Sequence, residues 1–86
     1  MTTAVDIRAA GHNIIVTLAD TILKDGVETE VETYEFVKAG ETRTFHVHQA
    51  RDLFVTEVRD DETELNALIA ANDTAGARQF ITDSDL

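Results

Sequence analysis

Cysteine, proline and tryptophan are all absent from this sequence. Without cysteine the chain can form neither a disulfide nor a thiolate metal site, and it is compatible with a reducing compartment. Apolar runs such as Ile14–Val16 are far too short to span a membrane. The segment Met1–Asp6 has neither the basic nor the apolar region of a signal peptide. These absences predict a chain without a signal peptide or a transmembrane segment.

Basic residues are scarce. The chain has 7 Lys and Arg against 17 Asp and Glu, for a formal net charge of -10. A chain this negative repels a phosphate backbone and an anionic membrane surface. The composition therefore excludes nucleic-acid binding and membrane binding as main activities and leaves proteins as the expected partners.

The length of 86 residues predicts one domain over 1–86, with a β-rich part over about 1–60 and a helical tail over about 61–82. A domain of this size buries only about 60–65% of the surface that its unfolded chain exposes. Its core is expected to be thin, so surface supplied by a second copy or by another protein would stabilise it.

Alternation of apolar and polar residues with period 2 indicates five strands in the first two-thirds of the chain. The alternating runs are Val5–Ala9, Ile14–Lys24, Val27–Val37, Phe45–Val47 and Leu53–Val58, with residues 49–52 interpreted as a loop. Short turns between the runs predict an antiparallel meander.

Asp25–Gly26 is the strongest turn signal, because a type I′ hairpin requires positive φ at both central residues. The run that follows has an inconstant phase. Val31 and Val37 share one parity, whereas Tyr34 and Phe36 share the other. Either a bulge interrupts this strand, or both of its faces are partly covered.

The period changes to a helical one after Arg59. Asp61 is the predicted N-cap with Glu64 as its capping-box partner, and Asn72 is the predicted helix end in the left-handed region. The expected fold is mainly β: a small antiparallel sandwich-like or barrel-like sheet of about five strands with a short C-terminal helix. The alternative is an α+β fold, in which the helix covers one sheet.

A histidine pair, His46 and His48, is the strongest candidate for chemistry, because residues i and i+2 of a strand face the same way and can share a metal. With Gly40 before it and Asp52 after it, the pair resembles the first half of the cupin metal motif. The resemblance implies a small metal-binding domain that uses His46, His48 and Asp52. The motif's second half, with its proline and further histidine, is missing. The favoured interpretation is that there is no metal site and that both histidines lie on a solvent face.

No nucleophile elbow, P-loop or dinucleotide fingerprint is present, so the sequence predicts no enzyme, no catalytic residue and no cofactor. Glu28, Glu30 and Glu32 form a stripe on one strand face. The stripe is interpreted either as a surface for a cation or a basic partner, or as a charged edge strand that blocks unwanted pairing.

The segment Val37–His48, continuing into Leu53–Val58, joins a Gly-Glu turn, a strand with an aromatic and a valine, a polar loop and a Val-x-Glu-Val strand. This order resembles small β-sandwich accessory and structural proteins of tailed bacteriophages and prophages. The resemblance implies a non-enzymatic interaction or structural module, virion-associated or cytoplasmic. It would act as a homo-oligomer or on a protein partner.

Overall fold

The computed structural model describes residues 2–84. It has five strands followed by two helices: β1 (Thr3–Arg8), β2 (Ile14–Lys24), β3 (Val27–Val37), β4 (Thr42–Val47), β5 (Arg51–Glu57), α1 (Thr63–Ala70) and α2 (Thr74–Ser84). All five strands read from the sequence are confirmed, but three begin earlier than their predicted runs: β1 at Thr3, β4 at Thr42, and β5 at Arg51, two residues before Leu53. β1 and β5 also end one residue earlier, at Arg8 and Glu57. Arg51 and Asp52, interpreted as loop, pair with Asp20 and Ala19 of β2. Both side chains are charged, so these two residues show no apolar–polar alternation that would predict a strand.

The order of the strands in the sheets differs from the predicted meander. β1 pairs with β4, and β2 lies between β3 and β5, all antiparallel. Among consecutive strands only β2 and β3 pair with each other. The connections β1–β2, β3–β4 and β4–β5 pass from one sheet to the other. The meander was wrong because alternation shows which face of a strand is buried, but not which strand lies beside it.

Over residues 14–20 both faces of β2 are covered, each by a different layer. One face packs on the β1–β4 sheet and forms the sandwich core, made of Ile7, Ala9, Ile14, Val16, Leu18, Val37 and Phe45. The other face packs on α1 and α2 and forms the helix-side core, made of Ile15, Phe36, Val58, Leu65, Ile69 and Ala77. The phase conflict in β3 is thereby explained without a bulge. Val37 belongs to the sandwich core and Phe36 to the helix-side core.

The fold is mainly β with α+β character, which confirms the predicted class. The two sheets stay open and do not close into a barrel. The helix is not merely appended, because α1 and α2 cover one face of the three-stranded sheet.

The predicted cap of α1 is wrong by one residue. Its N-cap is Glu62, which makes no side-chain cap bond. Instead, Glu62 Oε2 accepts a hydrogen bond from the Arg59 amide at 3.1 Å. Asp61 pairs with the guanidinium of Arg59 at 3.3 Å. The predicted helix end is confirmed, since Asn72 has a φ of 56°.

Candidate interaction surface

The predicted histidine site is not assembled as a group. His46 is exposed on β4, whereas His48 follows the last residue of that strand, so strand pleating does not hold the two rings on one face. Nδ1 of His48 accepts a hydrogen bond from the Ala50 amide at 3.3 Å. Asp52 is exposed on β5. Across the described part of the chain, no three His, Cys, Asp or Glu side chains lie close enough together to hold a metal ion.

A polar groove of about 310 Å³ lies at one end of the sandwich, between the two sheets. Two arginines line it, and each is engaged by a carboxylate. Arg51 Nε and Nη2 donate to the two carboxylate oxygens of Asp20 at 2.6 and 3.1 Å. Arg43 Nη1 donates to the Phe36 carbonyl at 2.8 Å and lies 3.4 Å from Glu35 Oε2. Since carboxylates pair with both guanidinium groups, we interpret this groove as a structural contact between the two sheets.

The hydrogen bonds donated by Arg51 lower the pKa of Asp20 below its ordinary value of 3.8. Partial burial opposes this shift, and the positive charge of Arg51 reinforces it. A carboxyl group with a depressed pKa stabilises the fold above its unfolded pKa. That contribution disappears as the pH falls through the lower folded value.

Acid unfolding is the test of this pair. We expect Asp20→Asn to lower stability at neutral pH and to flatten the loss of stability below about pH 3.8. Denaturant titrations across that pH range measure both effects. Asp52→Asn is the matched control, because the carboxylate of Asp52, exposed on β5, makes no hydrogen bond or ion pair among residues 2–84. Equal acid sensitivity in the parent and in Asp20→Asn would contradict the assignment.

The β2–β3 hairpin extends beyond the rest of its sheet. Pairing of β2 with β5 stops at Asp20, which lies opposite Val31 of β3. Residues 21–31 are named here the arm. At its base Val31 lies opposite Asp20 and the Thr21 amide donates to the Ala50 carbonyl at 2.8 Å, and residues 22–30 continue as a ribbon of two strands. The arm closes at Asp25 and Gly26, whose φ angles of 52° and 78° confirm the predicted turn. Every residue of the arm is exposed.

The two faces of the arm differ in chemistry. Residues directly opposite in the ladder share a face, and the face of Leu18 and Asp20 continues outward through Ile22. This apolar face carries Ile22, Val27 and Val31, which are 44%, 63% and 40% exposed. The opposite face carries Leu23 and the acidic stripe, defined as Glu28, Glu30 and Glu32. The stripe predicted from the sequence is confirmed as one exposed face of an edge strand.

Other exposed large apolar side chains do not form a comparable surface. Phe54 and Val55 are adjacent on the edge strand β5 and so point to opposite faces of the sheet. The apolar face of the arm is the candidate interaction surface, because three large apolar side chains lie together on it.

Comparison of the chain with protein-family models, with curated proteins and with solved structures finds no match. Among residues 2–84, neither helix has the length and the apolar character needed to cross a bilayer.

The sequence predicted some features of the candidate interaction surface and did not predict others. Alternation and the Asp-Gly turn placed the hairpin and the acidic stripe. The length of the arm was hidden, because it depends on where β5 stops pairing with β2. Next to the arm, the pairing of β5 with β2 ends at Arg51, which lies opposite Asp20 and donates a hydrogen bond to it. No local pattern in the sequence predicts this pair.

Proposed function

We propose that this chain is a non-enzymatic assembly module that associates with a second copy of itself through the apolar face of the arm. The observation that carries the proposal is the arm itself, a ribbon of two strands outside both cores with Ile22, Val27 and Val31 exposed together. An isolated two-stranded hairpin is marginally stable in water, so packing against another surface would stabilise it.

A second copy suits this face because the carboxylates of the stripe lie on the opposite face of the arm, and Lys24, opposite Val27, is the charged residue that shares the apolar face. In a symmetric contact between two apolar faces, Ile22 and Val27 of each copy lose water. The acidic stripes point outward and stay solvated. The high net negative charge then adds long-range repulsion, which salt screens. Three side chains make a small contact compared with the roughly 800 Å² per partner of a standard interface. We therefore expect an association that dilution reverses.

We further propose that the assembly is a virion, or an assembly intermediate, of a tailed bacteriophage or prophage. The segment 37–58, with its resemblance to small phage accessory proteins, supports this setting. In that role the protein is virion-associated or cytoplasmic and works without a cofactor. The pairing of both groove arginines with carboxylates, Arg51 with Asp20 and Arg43 with Glu35, supports a non-enzymatic role.

Light scattering over a dilution series tests the self-association. We expect the parent chain to show a concentration-dependent dimer and the double variant Ile22→Ser/Val27→Ser to remain monomeric. Leu23→Ser is the matched control, because Leu23 is 73% exposed and lies on the opposite face of the arm. It should associate like the parent. A parent chain that is monomeric at every concentration, or association lost equally in Leu23→Ser, would contradict the proposal.

A further inference from the structure

The outer edge of β3 carries backbone groups that pair with no other strand of residues 2–84. Arg43 donates to the Phe36 carbonyl from outside the sheet, so the N–H and C=O groups of Phe36 face outward. Backbone groups alternate in direction along an antiparallel strand. The outward-facing groups are therefore those of Tyr34, Glu32, Glu30 and Glu28. The two-residue turn agrees, because it makes Lys24 and Val27 a hydrogen-bonded pair and directs the Val27 groups inward.

A groove follows the inner half of this edge. Its volume is about 640 Å³, with Glu32 and Tyr34 on the strand side and Thr74, Arg78 and Gln79 of α2 on the other. This volume lies within the range of ligand clefts. A groove between an edge strand and a helix is the geometry in which an extended peptide adds a strand to a sheet. Main-chain hydrogen bonds then supply affinity, and alternate side chains supply specificity.

The charges along the edge select the chemistry of the added strand. Directly opposite residues of paired strands lie about 4.5–5.5 Å apart, and like charges there destabilise the pairing. Antiparallel pairing of β3 with β3 of a second copy, centred on the stripe at Glu30, would place Glu30 opposite Glu30 and Glu28 opposite Glu32, so the stripe disfavours a second copy as occupant. Lysine or arginine opposite Glu28 and Glu30 is favourable. Arg78, which has no ion pair among residues 2–84, favours a neutral or acidic residue beside α2.

We propose that the outer edge of β3 and the groove beside α2 bind an extended segment of a different protein, basic over Glu28 and Glu30 and uncharged or acidic beside Arg78. The inference rests on the proposed role as an interaction module and names the chemistry of its partner. The site uses the edge of the arm, whereas self-association uses its apolar face, so both contacts can form on one molecule.

Two capped synthetic peptides test strand addition against simple charge attraction. In the first, lysine and valine alternate before a short threonine-valine end. The second has the same sequence and charge, with N-methyl groups on every other backbone amide. Isothermal titration calorimetry is expected to show binding of the first peptide and at least about tenfold weaker binding of the second, a factor that corresponds to about 1.4 kcal/mol. Equal binding of both peptides would overturn the proposal.

Variants of Glu32 supply the matching test on the protein side. Its N–H faces outward, so Glu32→Pro removes a donor that the fold does not use, and proline is tolerated at such an edge position. We expect the melting temperature to change little and peptide binding to be lost. Glu32→Gln keeps the N–H and should weaken binding less. Unchanged binding by a folded Glu32→Pro variant would contradict strand addition. Amide NMR shifts at Glu30, Glu32 and Tyr34 in the parent give the same answer without a variant.

The double variant Ile22→Ser/Val27→Ser separates this inference from self-association. If the edge site is correct, this monomeric variant binds the first peptide as the parent does. A parent chain that is monomeric yet binds the peptide would overturn the self-association and leave the edge site standing. A parent chain that dimerises but binds both peptides equally would overturn the edge site and leave the self-association standing.

Discussion

Ile69→Ala is expected to lower the free energy of unfolding by about 2–5 kcal/mol. Ile69 lies in the middle of the helix-side core with no exposed surface. It packs with Ile15 of β2 and Phe36 of β3 in that core, so truncation leaves a cavity between two rigid layers. Small domains have a total stability of about 5–15 kcal/mol, so this one change removes a large fraction of it. Urea unfolding followed by circular dichroism measures the loss.

Two controls show whether the cavity is responsible. Ile69→Val removes one methylene group and should cost about 0.5–1.5 kcal/mol. Ala67→Ser, at an exposed position of the same helix, should change little. If Ile69→Ala costs no more than Ala67→Ser, the helices are an appended tail and the sheet does not depend on them. The two-core description would then be wrong.

Gly26→Val is expected to destabilise the protein by about 1 kcal/mol or more, because a β-branched side chain resists a left-handed backbone. Gly26 has a φ of 78°, and a Cβ added there would meet no atom within 4 Å. The penalty is therefore one of backbone conformation and not of space. It should appear as a lower urea midpoint with an unchanged slope of free energy against urea.

Gly11→Ala is the control for this substitution. A Cβ at Gly11 also meets no atom within 4 Å, and its backbone lies outside the left-handed region. This change should be neutral or stabilise slightly, because alanine reduces the freedom of the unfolded chain. Equal effects of Gly26→Val and Gly11→Ala would place the hairpin turn elsewhere. The arm would then have a different length and different faces.

Local sequence signals predicted most of the strands, because alternation and turn chemistry are properties of neighbouring residues. The conflict between Val37 and Phe36 predicted either a bulge in β3 or cover on both of its faces, and the second alternative is the one found. The pattern could not predict which elements cover the two faces. β1 and β4 cover one face, and α1 and α2 cover the other. Strand order depends on those distant contacts, so the meander prediction was wrong.

The candidate surface was only partly predictable for the same reason. Glu28, Glu30 and Glu32 follow from period 2, but exposure of Ile22 and Val27 depends on the absence of a layer beneath them in the described structure. Apolar residues in a strand are ordinarily interpreted as core, and here the arm extends beyond the strand and the sheet that would cover them. The spacing of His46 and His48 predicted two side chains on one face of a strand. That prediction was wrong because β4 ends at Val47, before His48.

Spin-label distance measurement tests the central claim, arm-to-arm assembly, most directly. The chain has no cysteine, so Thr29→Cys gives a single labelling site on the apolar face of the arm, and Glu64→Cys gives one on α1. At concentrations where the parent associates, we predict dipolar coupling between the Thr29→Cys labels of two copies and weaker or no coupling between the Glu64→Cys labels. Absence of coupling at the arm, or stronger coupling at α1, would contradict the account.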